Sequence, residues 1–228
     1  MNITYYGHSC YAIESNGIFL LVDPFITPNE KAKHIDITTI KADYIAITHG
    51  HQDHIADIET IAISTQATII AAYEIINWLQ AKGLKNKMIS VNVGAKLELD
   101  EFYIRAVTAV HSSQLPDGTY GGIALGYVVD NDTQVVYCAG DTALTIDMQL
   151  ISHWYDVIDA VILPIGGQYT MDIEDAFTAA EFCNCTHIIG VHFDTYPILH
   201  VDKNRCSELS KEFQIKLTLP EIGATYTI

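Results

Sequence analysis

The sequence predicts a layered α/β or α+β domain in which two β-sheets are flanked by helices. Three observations carry that prediction. Short β-branched and apolar runs, bounded by Gly, Pro, Asn or Asp, recur along all 228 residues. Segments with an apolar helical face are interleaved with some of those runs. Hydrophobic residues make up 49% and charged residues 18%, a composition that fills a core.

The chain opens as a meander. "ITYYGH" reads as a strand, and "CYAIES" and "IFLLVD" as a hairpin around Asn16-Gly17, a dipeptide suited to left-handed turn conformations. Asp23-Pro24 closes the hairpin. Residues 26–42 are mixed and polar, a loop with a short helix. "DYIAIT" is a buried strand, "HIADIETIAIS" a helix, "ATIIAA" a strand, and "YEIINWLQAK" a helix stopped by Gly83. "KMISVN", "KLELD", "FYIRAVTAVH", "IALGYVVD" and "QVVYCAGD" read as strands, the last two joined by a turn at Asn131-Asp132. "TIDMQLISHWY" is a helix, "DAVILPI" a strand, and "MDIEDAFTAAEFCN" a helix with Asp172 as N-cap. "THIIGVHF" is a strand, "DKNRCSELSKEF" a helix capped by Asp202, and the tail "IKLTLP…GATYTI" reads as strand. No linker, low-complexity segment or clear internal repeat interrupts this order, so residues 1–228 read as one domain.

The formal net charge is −16. Such a surface repels phosphate backbones and anionic membranes, so nucleic acid and membrane are excluded as first choices of partner. The N-terminus has no basic n-region or long apolar h-region, and no apolar stretch is long enough to span a bilayer. Cys10, Cys138, Cys183, Cys185 and Cys206 are odd in number and irregularly spaced, which favours free thiols in a reducing cytoplasm. Cys183 and Cys185 are read as small buried residues near a helix end rather than as metal ligands.

The chemistry concentrates at strand ends. "YIAITHGHQDH" places three histidines and an aspartate directly behind a strand. His49 ends that strand, His111 ends "IRAVTAV", Asp141 ends "VVYCAG" and His192 ends "IIGV". Loops at the carboxyl ends of strands are where layered sheets build their sites. One histidine on an apolar strand is ordinary core; ligand-type residues on four strand ends are not explained by packing. His49 and His51 lie two apart and share a side of extended chain. Asp53 and His54 follow where the chain turns into a helix. One short loop therefore offers two ligand pairs to two neighbouring divalent metals, which sit about 3.5–4 Å apart in hydrolases. Imidazole and carboxylate suit zinc best, and manganese, nickel and iron also occupy such sites.

The loop "THGHQDH" resembles the His-x-His-x-Asp-His motif of the metallo-β-lactamase superfamily, and His111, Asp141 and His192 follow in that superfamily's order. "GHSCYAIESNGIFLLVDPF", "GDTALTIDMQLI", "LPIGGQYTMDIEDA" and "VHFDTYP" further resemble a branch of metal-dependent hydrolases related to the ascorbate-6-phosphate lactonases. The resemblance implies a four-layer αββα sandwich. It implies that His49, His51 and His111 hold one metal, that Asp53, His54 and His192 hold a second, and that Asp141 bridges them. The activity implied is hydrolysis of a small ester, lactone or similar molecule by a metal-bridging hydroxide, with Asp53 orienting it and moving a proton. Histidine at position 51, where iron-redox branches carry Glu, disfavours a di-iron redox centre.

Around those ligands, His8 in "YGHS" is expected to act behind them or on the substrate. Thr142, Gln168, Tyr169 and Asp194 are candidates to line the substrate pocket, Gln168 standing where Asn or His is expected from the resemblance. The Gly166-Gly167 pair permits close backbone approach to a ligand. His34, His153, His187 and His200 have no partner pattern. The expected partner is a small-molecule substrate. Related enzymes associate, so a homo-oligomer fits, although no segment reads as a dedicated interface. Two competing readings are a phosphodiesterase acting on a lipid or nucleotide, and a metal-binding protein without turnover.

Overall fold

Strand direction decides where the loops of this protein gather. In the computed structural model, which describes residues 1–228, the first sheet holds β1 (Asn2–Gly7), β2 (Cys10–Ser15), β3 (Ile18–Val22), β4 (Tyr44–Ala46), β5 (Thr68–Ala72), β6 (Met88–Val91) and the C-terminal β14 (Thr225–Thr227), in the order β14-β1-β2-β3-β4-β5-β6. The second holds β7 (Lys96–Glu98), β8 (Tyr103–Thr108), β9 (Leu125–Asp130), β10 (Val135–Cys138), β11 (Ala160–Pro164), β12 (His187–Val191) and β13 (Lys216–Thr218), in the order β13-β12-β11-β10-β9-β8-β7.

Both sheets follow one plan. The pairings β14-β1, β1-β2 and β2-β3 are antiparallel, and β3-β4, β4-β5 and β5-β6 are parallel. The pairings β7-β8, β8-β9 and β9-β10 are antiparallel, and β10-β11, β11-β12 and β12-β13 are parallel. The internal repeat that the sequence does not display is thus present in the topology. The tail expected as strand is split between the two plans, β13 extending the second sheet and β14 closing the edge of the first.

This plan aims the chemistry. Strands β1, β3 and β4 run the same way, so His8, Asp23 and the 49–54 loop emerge at one end of the first sheet. Strands β8, β10 and β12 also share a direction, so His111, Asp141 and His192 emerge at one end of the second. The two ends meet: Leu125 N–H donates to the Thr48 carbonyl at 2.9 Å.

Helices α2 (Ile58–Thr65) and α3 (Tyr73–Ala81) cover the first sheet, while α4 (Gln149–Trp154), α5 (Ile173–Phe182) and α6 (Lys203–Phe213) cover the second. Strand alternation shows the layering. Val136 and Cys138 of β10 join a core of 44 residues that also takes Ile13, Leu20 and Ile45 from the first sheet and Ile61 and Leu79 from its helices. Tyr137, between them, faces a second core of 23 residues with Ile151 of α4, Phe177 of α5 and Leu209 of α6. Each buried aliphatic side chain contributes about 1.5–3 kcal/mol relative to exposure, so two such cores hold a four-layer αββα sandwich together.

Two helical segments are shorter than expected. Residues 54–64 form the end of α1 (Gln52–Ile55), then a break, then α2. The buried Asp57 carboxylate sits at that break and accepts the N–H groups of Ile26 at 2.6 Å and Thr27 at 2.8 Å, holding the chain out of helical register. Residues 145–155 form one 3-10 turn, Ile146–Met148, before α4. Residues 26–42 carry two such turns, Glu30–Ala32 and Ile37–Thr39, capped by Asn29 and Asp36.

Candidate metal centre

Ligand-type side chains from six strand ends converge. His49, His51 and His111 bring one nitrogen each within 4.8 Å of one another, and His8, Asp53, His54 and His192 form a second such group. Asp141 lies between them. Its Oδ2 is 3.0 Å from His192 Nε2, 3.2 Å from His54 Nε2 and 3.8 Å from His111 Nε2. All seven residues expected from the sequence to hold metal are therefore brought close together, and Asp23, His49 and His54 form a third group that joins the first two.

The chain holds these rings in chosen orientations. Asp23, fully buried below the site, accepts the Thr48 N–H at 2.8 Å, the Thr48 hydroxyl at 2.6 Å and His54 Nδ1–H at 2.8 Å. With its hydroxyl proton committed to Asp23, Thr48 Oγ1 accepts His49 Nδ1–H at 3.0 Å. His49 and His54 are thereby each turned with Nε2 toward the site. His49 Nε2 faces His51 Nδ1 at 3.0 Å, and Ser112 Oγ is 3.3 Å from His51 Nε2.

Asp23 is the residue that reading for strand ends passed over. It ends "IFLLVD" as Asp141 ends "VVYCAG", on the topologically equivalent strand, so the same criterion finds it. Taken only as the partner of Pro24 in a turn, it lost that reading.

The electrostatics of the site follow from burial and from the two buried carboxylates that flank His54. Burial opposes charging His54, but Asp141 and Asp23 on either side outweigh burial and hold its pKa well above the ordinary value. Burial likewise opposes an ionised Asp141, and His54 and His192 outweigh it, keeping Asp141 well below the carboxylate range. Burial lowers His49 well below the ordinary value and also lowers His111 and His51. Three buried polar atoms have no hydrogen-bond partner here: His54 Nε2, Asp141 Oδ1 and His192 Nδ1. Buried polar groups are seldom left so. Orphaned donors of imidazole and carboxylate type, crowded around one carboxylate, fit divalent cations.

His8, a member of the second group, has both ring nitrogens engaged. Nε2 is 3.1 Å from Asp53 Oδ2, and Nδ1 is 2.9 Å from Thr195 Oγ1. Burial brings His8 down to about 4 in spite of Asp53, so the ring is neutral at pH 7. Burial also works against ionised Asp53, but the His8 hydrogen bond and nearby His54 hold it well below the ordinary range.

The expected substrate residues are less uniform. Thr142 Oγ1 accepts the Val110 N–H at 2.9 Å and donates to the Ala143 carbonyl at 2.7 Å, tying the Asp141 loop to the His111 loop. Asp194 Oδ1 accepts from Val201 N–H at 3.2 Å and pairs with His200 at 3.0 Å, which folds its own loop. Gln168 and Tyr169 are exposed. Gly166 approaches protein rather than ligand: a Cβ there would lie 2.2 Å from the His192 carbonyl oxygen. Ser112, Ser113 and Thr195 join the site without having been singled out; hydroxyls in loops carry no sequence signal of their partners. Cys183 and Cys185 donate to the carbonyls of Met148 and His187 and pack in the second core.

A beta-lactamase superfamily domain matches residues 2–192, and the chain belongs to that superfamily. It is 46% identical over 202 residues to a UPF0173 metal-dependent hydrolase of Flavobacterium johnsoniae, covering 89% of this chain and 88% of the relative. It is 42% identical over 224 residues to the corresponding protein of Christiangramia forsetii, covering 98% of each. Among solved structures, Igni18, a metallo hydrolase from Ignicoccus hospitalis, superposes with a TM-score of 0.87 at 33% identity, over 100% of this chain and 98% of that one. YhfI of Bacillus subtilis, a metallo-beta-lactamase fold protein at 18% identity and TM-score 0.76, shares the fold over 99% of this chain and 98% of its own. The protein is a metal-dependent hydrolase, and no helix is long and apolar enough to cross a membrane.

Proposed function

We propose that this enzyme is a binuclear hydrolase of small esters or lactones, with zinc as the metal its ligand set suits best. The carrying observation is Asp141 Oδ2, within 3.8 Å of one member of the first histidine group and two nitrogens of the second. In this reading His49, His51 and His111 would hold one ion and Asp53, His54 and His192 the other, with Asp141 shared between them. Ions held there lower the pKa of water toward about 7 and polarise the substrate's carbonyl oxygen.

The chain's own groups then have defined tasks. Asp23 and Thr48 fix the tautomers of His54 and His49, so that Nε2 of each faces the site. His8 Nε2–H donates to Asp53 Oδ2 and holds that carboxylate in one orientation. Asp53 Oδ1 is left to take a proton from the attacking water and pass it to the leaving oxygen. Because both nitrogens of His8 are engaged, His8 positions Asp53 and is not counted among the ligands. No serine or cysteine nucleophile is required, and the buried free thiols suit a reducing cytoplasm.

Elemental analysis of protein purified without added metal or chelator tests the assignment. About two transition-metal ions per chain are expected, falling below one in His49→Ala and Asp141→Ala together with ester hydrolysis. One ion in the wild type, or full activity in either variant, overturns the binuclear reading.

A further inference from the structure

Residues 112–123 form a wall pinned beside His111. Ser113 Oγ accepts the Gly50 N–H at 3.0 Å, and Ser113 O accepts the Gly121 N–H at 2.8 Å. Leu115 is buried and packs on Gly50, where a Cβ would lie 3.1 Å from it. Trp78 Nε1–H of α3 donates to Asp117 Oδ2 at 2.7 Å. From this anchored loop Tyr120 projects 68% exposed and Ile123 50% exposed, with Val110 also 50% exposed just before His111.

Tyr120 and Ile123 line a hollow of about 370 Å³ that reaches His111, Ser112 and Gln114. No Lys, Arg, Asp or Glu lines it, in a chain with 12 basic and 28 acidic residues. Two acids stand behind its wall: Asp117, whose carboxylate accepts the Thr119 N–H at 3.0 Å and hydroxyl at 2.7 Å, and Glu74, whose carboxylate abuts Gly122. Exposed apolar side chains gathered beside a polar site mark a binding surface. With no cation present and two acids behind the wall, the hollow disfavours an anion. Its volume suits one short chain and not a two-chain lipid.

We infer that this hollow binds a short, uncharged, apolar acyl chain of the substrate against Tyr120 and Ile123. The inference rests on the ester-and-lactone reading above and adds the character of the acyl group to it.

The test compares metal-loaded wild type with Tyr120→Ser and Ile123→Ser. The substrates are 4-nitrophenyl acetate, butyrate and hexanoate, and mono-4-nitrophenyl adipate, which replaces the terminal methyl of hexanoate by a carboxylate. In the wild type kcat/KM is expected to rise about threefold per added methylene. The adipate monoester should be at least tenfold slower than hexanoate. In both variants the hexanoate-to-acetate ratio should collapse toward one. An unchanged ratio, or adipate preferred over hexanoate, overturns the inference. Saturation-transfer NMR with 1-hexanol needs no turnover: signal in the wild type should be lost in both variants, and equal signal in all three overturns the assignment. Loss of 1-hexanol contact in variants of a wild type that hydrolyses none of the esters would keep the hollow and sink the ester-and-lactone reading. Sedimentation of the same proteins covers the remaining case. A wild-type dimer that Tyr120→Ser converts to monomer assigns these side chains to a subunit contact and overturns the inference.

Discussion

The backbone N–H of His192 donates to the backbone carbonyl of His8 at 2.8 Å, and both residues hold left-handed φ angles of 55°. His8 follows β1 of the first sheet and His192 follows β12 of the second, so this bond ties the sheets together at the candidate metal centre. Tyr5 supports it, its hydroxyl donating to the same carbonyl at 3.0 Å. The His8 side chain acts separately, on Asp53. The two roles can therefore be divided by substitution. Asn tolerates the left-handed region better than Ala does. His8→Asn is expected to keep metal content and thermal midpoint near wild type while kcat falls about 10–100-fold, the usual effect of losing a group that orients a ligand. Loss of one metal per chain in His8→Asn would make His8 a ligand instead.

Asp23 is the most heavily committed carboxylate behind the ligands. It is buried, and three donors from Thr48 and His54 end on it. Asp23→Ala leaves those donors unpaired in the core, at a cost of about 3–5 kcal/mol. Asp23→Asn keeps one carbonyl acceptor but turns an NH2 toward a donor, and should lower metal affinity about 10–100-fold with a smaller loss of stability. Urea unfolding and competition with a chromophoric chelator measure the two effects. Unaltered metal affinity in Asp23→Asn would show that His54 is oriented by packing alone.

Much of this site was legible because its residues obey one rule: ligand types at carboxyl ends of strands. "HGHQDH" is dense enough to stand out, and His111, Asp141 and His192 each close an apolar run. Asp23 obeys the rule but sits before Pro24, and turn chemistry explained it too early. The break at Asp57 was hidden because its cause is a pair of N–H groups about thirty residues earlier. The repeated sheet plan was invisible because the halves share strand directions and not side chains. Thr142 and Asp194 looked available for substrate because their partners, Val110 and Val201, are backbone groups that a sequence cannot point to.

The buried thiols give the stability a definite pH dependence. All five cysteines are free and buried. Burial pushes Cys138 and Cys183 up to about 12, and raises Cys10, Cys185 and Cys206 as well. A folded pKa above the unfolded value of 9.0 means that the contribution is complete below pH 9 and is lost as pH rises toward 12. At pH 10 each thiol that ionises only when unfolded costs roughly 1–2 kcal/mol. Buried Tyr5, Tyr11, Tyr127 and Tyr137, all raised by burial, add to the loss above their ordinary value of 10.0. The urea midpoint of the metal-saturated protein should hold between pH 7.5 and 8.5 and fall steadily from pH 9 to 10.5, with a shallower slope in Cys183→Ala. A flat profile over that range would mean that the thiols are hydrated in the native state.

Gly166 links packing to metal content. It follows β11, and a Cβ there would lie 2.2 Å from the His192 carbonyl oxygen and 3.2 Å from Leu199 Cβ. The first of these is backbone and cannot swing away as a side-chain tip can. Gly166→Ala must therefore displace the turn that carries His192, at a cost of about 1–3 kcal/mol for overpacking. It should also weaken the half of the site that His192 completes. Gly167→Ala is the control. Its φ of 67° strains any side chain, but its nearest neighbour is Asp172 Cβ at 3.5 Å, so about 1 kcal/mol is expected with metal content intact. Metal content and urea midpoints of the two variants decide the matter. If both lose stability alike and both keep full metal, then His192 is held by the His8 carbonyl strongly enough to ignore the intruding methyl.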